Sequence, residues 1–297
     1  MLPVVKTFGL LLKGLLLLVL LSGQLGRAED PPTLTWHRMQ FPPAFILAGV
    51  AQGQGFGDEL LRMLANRLPQ YHHRWVAAPL ERVLERAGSA EHGLTCAGAM
   101  LQTAEREVWL RFSNPFLTTP PNGMIVRVND LGRFESFIQQ GRLTLGPLLQ
   151  TGKFVIGITR QRSYGAPLNR LLAAHAGRPY LFEKSGQGAG NALLSDLAAQ
   201  RGVDGVIAYH LEAAYWREVS HSPVALRFLP IAEAVEHEQW RIACSRTPQG
   251  EQAIAAINQV LADLEFRQAY LRTYDGWRER LADQLPGAPE RLSDVAP

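Results

Sequence analysis

The chain has 297 residues, of which 46% are hydrophobic and 19% are charged, and its formal net charge is +3. This balance is typical of a soluble globular protein with room for about two domains, and it excludes a disordered or fibrous chain. The two cysteines, Cys96 and Cys244, exclude a disulfide-rich scaffold. Neither belongs to a metal-binding motif, so no metal site is predicted.

The first 28 residues are predicted to be a secretory signal peptide. Lys6 and Lys13 make the start positive, residues 15–21 are an unbroken apolar run, and small residues precede the expected cleavage point after Ala28. The run is shorter than the ~20 residues that a membrane-spanning helix needs. No cysteine follows it, so lipid anchoring is not expected. We therefore expect export of a free protein.

Loss of this leader also changes the charge of the chain. The leader holds three cationic residues and no acids, so the mature chain would have a formal charge of zero. No basic run with interleaved aromatic residues follows. A nucleic acid or an anionic membrane is therefore not expected as a partner.

From residue 33 the hydrophobic spacing alternates between strands and helices. The predicted strands are 34–36, 71–77, 93–98, 123–128, 154–158, 180–183, 203–209, 224–229 and 239–244. The predicted helices are 59–68, 80–88, 134–140, 163–176, 191–200, 211–219 and 248–270. Alternation of this kind predicts an α/β fold with mainly parallel sheets.

The predicted units form two successive sets, and the last strand and helix do not continue the second set. This arrangement predicts two lobes with two chain crossings and a cleft that can hinge. We expect residues 29–126 plus 238–284 to form lobe one and residues 127–237 to form lobe two. Residues 285–297 hold three prolines and are expected to be a loose tail.

One motif, Thr103–Phe116 with the sequence TAEREVWLRFSNPF, carries an unusual charge pattern. Arg106 lies between Glu105 and Glu107 at a predicted helix start, just ahead of an aromatic run. Two interpretations are open from the residues alone. Arg106 either pairs with a neighbouring acid on a solvated face or is held there to bind something.

This motif resembles the "T-x-E-R … F-S-x-P" signature of type II periplasmic solute-binding proteins. The closest branch is family 3, the polar-amino-acid-binding extracellular solute-binding proteins. Weaker matches are Phe41–Phe45 (FPPAF), Gly53–Phe56 (GQGF) and Gly202–Ile207 (GVDGVI), so the resemblance spans about residues 33–275.

The resemblance implies a two-lobed α/β fold of the type II periplasmic-binding-protein kind, with two crossover strands. It implies a monomer in the periplasm that needs no cofactor. Such a protein captures a small polar solute, an amino acid or a carboxylate, and presents it to a membrane permease of the ABC type. A periplasmic sensor that reports to a membrane receptor is the alternative.

In that family the motif arginine binds the α-carboxylate of the ligand, which implies this role for Arg106. A guanidinium is a planar fork that pairs bidentately with a carboxylate. Thr103 would cap the helix start and leave backbone N–H groups for the same anion. The other positions that the resemblance places at the cleft are Trp36, Phe41, Phe45, Thr118, Arg160, Ser163, Tyr164 and Tyr209. For the three early aromatic residues, packing beneath the loop is the alternative, and Ser163 could be only a helix cap.

The sequence departs from the family at one place. Members that bind amino acids commonly carry an acid at the end of the strand that matches residues 203–209. Here that end holds Tyr209 and His210, with Glu212 further into the helix. The ligand could therefore be something other than an ordinary α-amino acid.

An exported enzyme on this fold, similar to a dehydratase, is a further alternative. It would need an acid or base in the cleft, and the candidates are Glu212, His210 and His37. The glycine-rich stretch 185–191 lacks both the GxGxxG spacing and the P-loop lysine, so we predict a loop that caps the next helix.

The same resemblance bears on the cysteines. In these proteins the strand returning from lobe two lies antiparallel beside the third strand of lobe one. This topology implies that Cys96 and Cys244 are neighbours that form a disulfide, with two buried, reduced cysteines as the alternative.

Overall fold

The computed structural model describes residues 30–287. The predicted signal peptide and residues 288–297 lie outside this range. The strands are β1 (Thr33–Arg38), β2 (His72–Ala77), β3 (Thr95–Leu101), β4 (Leu110–Phe112), β5 (Leu117–Thr119), β6 (Gly123–Arg127), β7 (Ile138–Gln139), β8 (Arg142–Leu143), β9 (Ile156–Thr159), β10 (Leu181–Lys184), β11 (Gly205–Ala208), β12 (Leu226–Pro230) and β13 (Glu238–Ser245). The helices are α1 (Phe56–Arg67), α2 (Leu80–Ala87), α3 (Ala104–Glu107), α4 (Leu145–Gln150), α5 (Ala166–Ala174), α6 (Ala189–Ala198), α7 (His210–Ser220), α8 (Pro248–Ala262) and α9 (Leu264–Leu281).

The first sheet has the strand order β2-β1-β3-β13-β4, with β5 also paired to β13. Strands β2, β1 and β3 are parallel, whereas β13 runs antiparallel to β3, β4 and β5. The register places Cys244 opposite Cys96, and the two sulfurs are bonded. The predicted disulfide is confirmed. We call this sheet and the helices on it the first lobe.

Packing against this sheet explains its small residues. Leu60, Leu61 and Leu64 of α1 are fully buried, as the helical spacing predicts. A Cβ at Gly98 in β3 would meet the Phe45 ring at 3.0 Å, so the strand has no side chain where this ring packs. Phe45 thus belongs to the core of the first lobe.

The second sheet has the order β10-β9-β11-β6-β12. Strands β10, β9 and β11 are parallel, and β6 runs antiparallel to both β11 and β12. We call this sheet and its helices the second lobe. Because β6 pairs entirely within it, the chain crosses between β5 and β6 and returns between β12 and β13. The two-lobed α/β architecture is confirmed, while the residue limits of the lobes stay a prediction.

The predicted helix at 134–140 is wrong. This segment forms short 3₁₀ turns at Val128–Arg133 and Glu135–Phe137, followed by the β7–β8 hairpin. Gln140 and Gly141 have φ angles of 51° and 74°, the left-handed pair that a tight hairpin turn requires. Phe134 is fully buried with its ring centroid 4.7 Å from that of Phe154. This tertiary contact outweighs the local helical pattern.

The predicted long helix at 248–270 is two helices. The side chain of Asp263 accepts hydrogen bonds from the backbone N–H groups of Glu265 (2.9 Å) and Phe266 (3.2 Å). It therefore caps a new helix, α9, at the point where α8 ends.

The start of the predicted loose tail is anchored on the second lobe. Leu285 is 1% exposed, and its carbonyl oxygen is hydrogen-bonded to His210 Nε2 at 2.8 Å. Phe228 N donates to the Pro286 carbonyl oxygen. Within residues 30–287, no helix combines the length and the apolar character needed to cross a bilayer.

Candidate functional site

Two adjoining cavities lie between the lobes. The smaller has a volume of about 70 Å³ and the larger about 590 Å³. Four residues line both cavities: Arg106, Thr159, Arg162 and Ser163. Each lobe therefore contributes an arginine to the wall that the two cavities share.

Arg106 is placed by the short helix α3. The hydroxyl of Thr103 caps this helix by accepting a hydrogen bond from Arg106 N (3.3 Å). The Arg106 side chain donates to the Leu101 carbonyl oxygen (3.0 Å) and, across the cleft, to the Gln161 carbonyl oxygen (2.9 Å). Burial lowers the pKa of the guanidinium, with Glu105 acting in the opposite direction. Its direct partners are neutral, so Arg106 presents a positive charge that a ligand could neutralise.

Arg162 comes from the loop after β9 and has different surroundings. It donates to both carboxylate oxygens of Glu212 (2.9 and 2.5 Å) and to Asn122 Oδ1 (2.9 Å). Its guanidinium carbon lies 5.0 Å from the ring centroids of Phe41 and Tyr209 and 5.2 Å from that of Tyr164. Burial is the largest single effect and would lower the pKa of Arg162, but the charge and hydrogen bond of Glu212, with Tyr164 and Tyr209, together outweigh it, so the pKa lies above its ordinary value.

The partners of Arg162 belong to a closed ring of hydrogen bonds. Asn122 Nδ2 donates to Glu238 (3.2 and 3.3 Å), which also accepts from the Tyr209 hydroxyl. Tyr209 N in turn donates to Glu212 Oε2 at 3.0 Å. We call Arg162, Glu212, Tyr209, Glu238 and Asn122 the Arg162 network.

Burial governs titration in this network. It raises the pKa of Glu238, against the opposing effects of the Tyr209 and Asn122 hydrogen bonds. Burial also raises the pKa of Tyr209, and the nearby Glu238 charge adds to the effect. Asn122 precedes β6 and Glu238 begins β13, so each lies at a chain crossing. Asn122 is hydrogen-bonded to Arg162 and Glu238 to Tyr209, so both crossings are tied to the second lobe.

The glycine-rich segment at 185–191 reaches the first lobe. Gly186 N donates to the Glu81 carboxylate of α2 at 3.3 Å. Gly188 has φ 74° and begins α6 without a side-chain cap, and residues 186–191 line the smaller cavity. The loop and the start of α6 thus form part of the wall of the smaller cavity and contact the first lobe.

Seven of the ten residues predicted to bind ligand line the cavities. Arg106, Phe41, Ser163 and Tyr209 line the smaller cavity. Thr103, Arg160 and Tyr164 line the larger one. Ser163 Oγ also accepts from Asn169 Nδ2 (2.8 Å), a contact that orders its loop.

The other three lie away from both cavities. Trp36 is fully buried and donates to His73 Nδ1 at 3.0 Å. Phe45 packs on Gly98 as described above, and Thr118 pairs with Gln239 in the first sheet. Phe45 thus packs against the first sheet, and Trp36 stacks between His73 and Trp75 of β2.

Arg162, Asn122 and Glu238 were not predicted from the sequence. Their signal was weak because each is a common polar residue whose partners lie far away in the chain. Arg162 is 50 positions from Glu212 and 40 from Asn122. The one usable sign was an acid, Glu238, directly ahead of the strand predicted at 239–244, which the resemblance placed beside the third strand of lobe one.

The three acid or base candidates differ in position. His37 is buried outside both cavities, and burial, followed by the charges of Arg86 and Arg74, lowers its pKa to about 4. His210 is bonded to the Leu285 carbonyl, and burial lowers its pKa. Glu212 lines the smaller cavity but is held by Arg162. The described part of the chain contains no cluster of three or more potential metal ligands.

Solved structures of other proteins have a fold similar to that of this chain. No protein-family model matches the sequence, and no curated protein matches it. Among solved structures, a mutant of ArgBP from T. maritima has 16% identity and a TM-score of 0.63 over 84% of this chain and 96% of that one. The arginine-, lysine-, histidine-binding protein ArtJ from Geobacillus stearothermophilus has 14% identity and a TM-score of 0.63 over 85% and 100% of the two chains.

A histidine kinase sensor domain with similarity to periplasmic binding proteins matches equally well. It has 13% identity and a TM-score of 0.63, with 84% of this chain and 97% of that chain covered. At such identities the likeness establishes the fold. The chain therefore has the two-lobed periplasmic-binding-protein fold that its sequence predicted.

Proposed function

We propose that the protein is a periplasmic solute-binding protein that captures a small polar solute bearing a carboxylate and delivers it to an ABC-type permease. The observation that carries this proposal is Arg106, a buried guanidinium whose direct partners are two carbonyl oxygens. A carboxylate in the cleft would supply the missing counter-charge through a bidentate pair.

The charges around the smaller cavity support an anionic group. Two guanidiniums, of Arg106 and Arg162, line it against one carboxylate, Glu212, which Arg162 already engages. The start of α6 adds backbone N–H groups that favour negative charge. A volume of about 70 Å³ corresponds to about five or six water-sized groups, which suits a small amino acid or a short carboxylate.

The contacts across the cleft support closure around a solute. The hydrogen bond from Arg106 to Gln161 O and that from Gly186 N to Glu81 join the lobes. A carboxylate that binds both Arg106 and the second lobe would favour the closed form by population shift.

The names of the structural neighbours support an amino acid or a similar compound as the solute, since ArtJ is described as an arginine-, lysine-, histidine-binding protein. The sensor-domain neighbour supports the alternative that the closed form signals to a membrane receptor. Reconstituted transport by a permease, dependent on this protein, would favour delivery over signalling. Glu212 is the one acid or base candidate in the smaller cavity, and its pairing with Arg162 argues against catalysis.

A thermal-shift screen of protein purified after export tests this function. Amino acids, short carboxylates and polyamines are compared, and the protein is expected to be a monomer whose sequence begins after Ala28. We expect a saturable rise in Tm with a carboxylate solute, and no rise with its carboxamide analogue. Arg106→Met should abolish the rise, whereas Arg111→Met, at an exposed ion pair with Glu251, should retain it.

Two outcomes would contradict the proposal. Stabilisation by polyamines without any effect of carboxylates would remove the role of Arg106. Consumption of the stabilising solute during incubation would show an enzyme.

A further inference from the structure

Arg162 occupies the part of the cleft that is best suited to bind a cation. We propose that its guanidinium is a built-in occupant of a cation cage, which makes the protein select against solutes with a cationic side chain. Truncating Arg162 would then turn this cage into a site for an external guanidinium. The selectivity rests on the proposed function, whereas the existence of the cage does not.

The cage has three aromatic walls. The rings of Phe41, Tyr164 and Tyr209 surround the Arg162 guanidinium at 5.0 to 5.2 Å from its central carbon. These distances fall within the ~6 Å over which a cation is attracted to an aromatic face. One wall comes from the first lobe and two from the second, so the cage is completed when the cleft is closed.

The cage also has the acceptors that a guanidinium requires. The two oxygens of Glu212 and the amide oxygen of Asn122 receive three hydrogen bonds from Arg162. The Glu212 side chain is 5% exposed, so its charge is neutralised mainly by the guanidinium.

The walls are held by contacts that do not involve Arg162. Tyr209 is fixed by its hydroxyl, which donates to Glu238 and accepts from Trp240 Nε1 (3.0 Å). The Tyr164 hydroxyl accepts from Thr159 N at 2.8 Å. The Phe41 ring packs on Trp240, with centroids 5.4 Å apart. Removing the Arg162 side chain would therefore leave three positioned rings and a buried carboxylate, which together can bind a cation.

The filled cage has a consequence for the solute. A lysine- or arginine-like side chain entering the smaller cavity would meet two fixed positive charges, Arg106 and Arg162, while Glu212, the one carboxylate that lines it within residues 30–287, is already engaged. Like charges at short range oppose binding. The structure thus points to carboxylate solutes whose other end is neutral or acidic.

The cage is tested with Arg162→Ala and methylguanidinium chloride at millimolar concentrations, with potassium chloride at equal ionic strength as reference. The variant should have a lower Tm than the wild type, and methylguanidinium should restore it in a saturable manner. The wild type should gain nothing. A second substitution, Glu212→Gln, should weaken the rescue by on the order of tenfold or more, since it removes the charged acceptor.

Arg133→Ala is the matched control. Arg133 also pairs with a carboxylate, Asp204 at 2.7 Å, and lies 5.0 Å from the Phe154 ring, but its side chain is 46% exposed. Methylguanidinium should not restore its Tm. Equal rescue of the two variants, or no rescue of Arg162→Ala, would overturn the proposal.

If Arg162→Ala does not fold unaided, refolding from urea gives the same test. Folded protein should be recovered in methylguanidinium and not in potassium chloride, and recovery in neither would overturn the cage.

The selectivity is tested on the wild type with L-2,4-diaminobutyrate and L-2-aminobutyrate, a short pair that differs at the end of the side chain by one ammonium group. We expect 2-aminobutyrate, or any other bound solute with a neutral or acidic remainder, to bind on the order of tenfold or more tightly than its cationic counterpart. Tight binding of lysine or arginine by the wild type would overturn the inference while upholding the solute-binding function. If the wild type binds no solute, the function fails, and methylguanidinium rescue still decides whether the cage exists.

Discussion

Each lobe contributes one largely buried arginine to the cleft, and the two side chains are in opposite circumstances. Arg106, from the first lobe, donates to two carbonyl oxygens, and burial lowers its pKa. Arg162, from the second lobe, is enclosed by three rings and paired with Glu212, and Glu212 together with the tyrosines around it holds the pKa above the ordinary value against the effect of burial. Burial of the same side chain thus gives, within residues 30–287, a guanidinium without an ion-pair partner at Arg106 and a completed ion pair at Arg162.

This difference gives the two arginines different expected roles, ligand binding for Arg106 and stability for Arg162. A buried charge without a counter-ion is costly, and an incoming anion relieves that cost. A buried charge with its partner in place adds little for a ligand, but removal of either member is costly. We therefore expect substitutions of Arg106 and its contacts to change the affinity for the solute, and substitutions in the Arg162 network to change the free energy of unfolding.

The largest effect on stability should come from the disulfide, which joins the strands that hold Arg106 and the Arg162 network. Cys96 lies in β3, whose last residue Leu101 accepts from Arg106, and Cys244 lies in β13, which begins at Glu238. A loop of 148 residues gives a stabilisation of about 5 kcal/mol in the chain-entropy model. Replacing both cysteines by alanine should lower the free energy of unfolding in urea by up to this amount.

Reduced wild-type protein is the control, and it should show a similar loss. Solute selectivity should not change, because neither arginine is touched. A double variant as stable as the oxidised wild type would contradict this prediction.

Glu212→Gln should be the most destabilising single substitution in the Arg162 network. It leaves the buried guanidinium without a counter-charge, at a cost of about 3 kcal/mol in the free energy of unfolding. Glu251→Gln, which removes the exposed partner of Arg111, should cost less than about 1 kcal/mol. Equal losses in chemical denaturation would mean that the Glu212 pair behaves as a surface ion pair.

Tyr209→Phe tests the ring of hydrogen bonds behind the cage. The hydroxyl bridges Glu238 and Trp240 Nε1, and its loss leaves both with one partner fewer, at a cost of about 2 kcal/mol. Tyr270→Phe is the matched control, because the Tyr270 hydroxyl is buried with no protein partner among the described residues. The control should be neutral or stabilising, and a similar loss in both variants would argue against the network.

The smallest effect should be a change in pH dependence from Glu238. Burial raises the pKa of this carboxyl in the folded protein, so the native state holds its proton more tightly than the unfolded state. The resulting stability is present below the unfolded pKa of about 4.5 and is lost as pH rises through the folded pKa. Relative to the wild type, Glu238→Gln should therefore become more stable as pH rises above about 4.5. Parallel stability curves for the two proteins would contradict this sign.

The contrast between Arg106 and Arg162 also shows which residues could be predicted from the sequence. Local spacing located most strands and helices, and the Thr103–Phe116 motif pointed to Arg106, which lines both cavities. The Arg162 network escaped prediction because its hydrogen bonds join residues 29 to 116 positions apart, except the contact within α7's first turn. The helix expected at 134–140 failed for a similar reason, since the Phe134–Phe154 contact is tertiary.

The central claim is that Arg106 binds a carboxylate and Arg162 does not. Calorimetric titration of a stabilising carboxylate solute and its carboxamide analogue, into wild type and Arg106→Met, tests it most directly. We predict that the wild type prefers the carboxylate by about 100-fold, the equivalent of one to two charge-assisted hydrogen bonds, and that Arg106→Met loses this preference. Retention of the full preference in Arg106→Met would contradict the account.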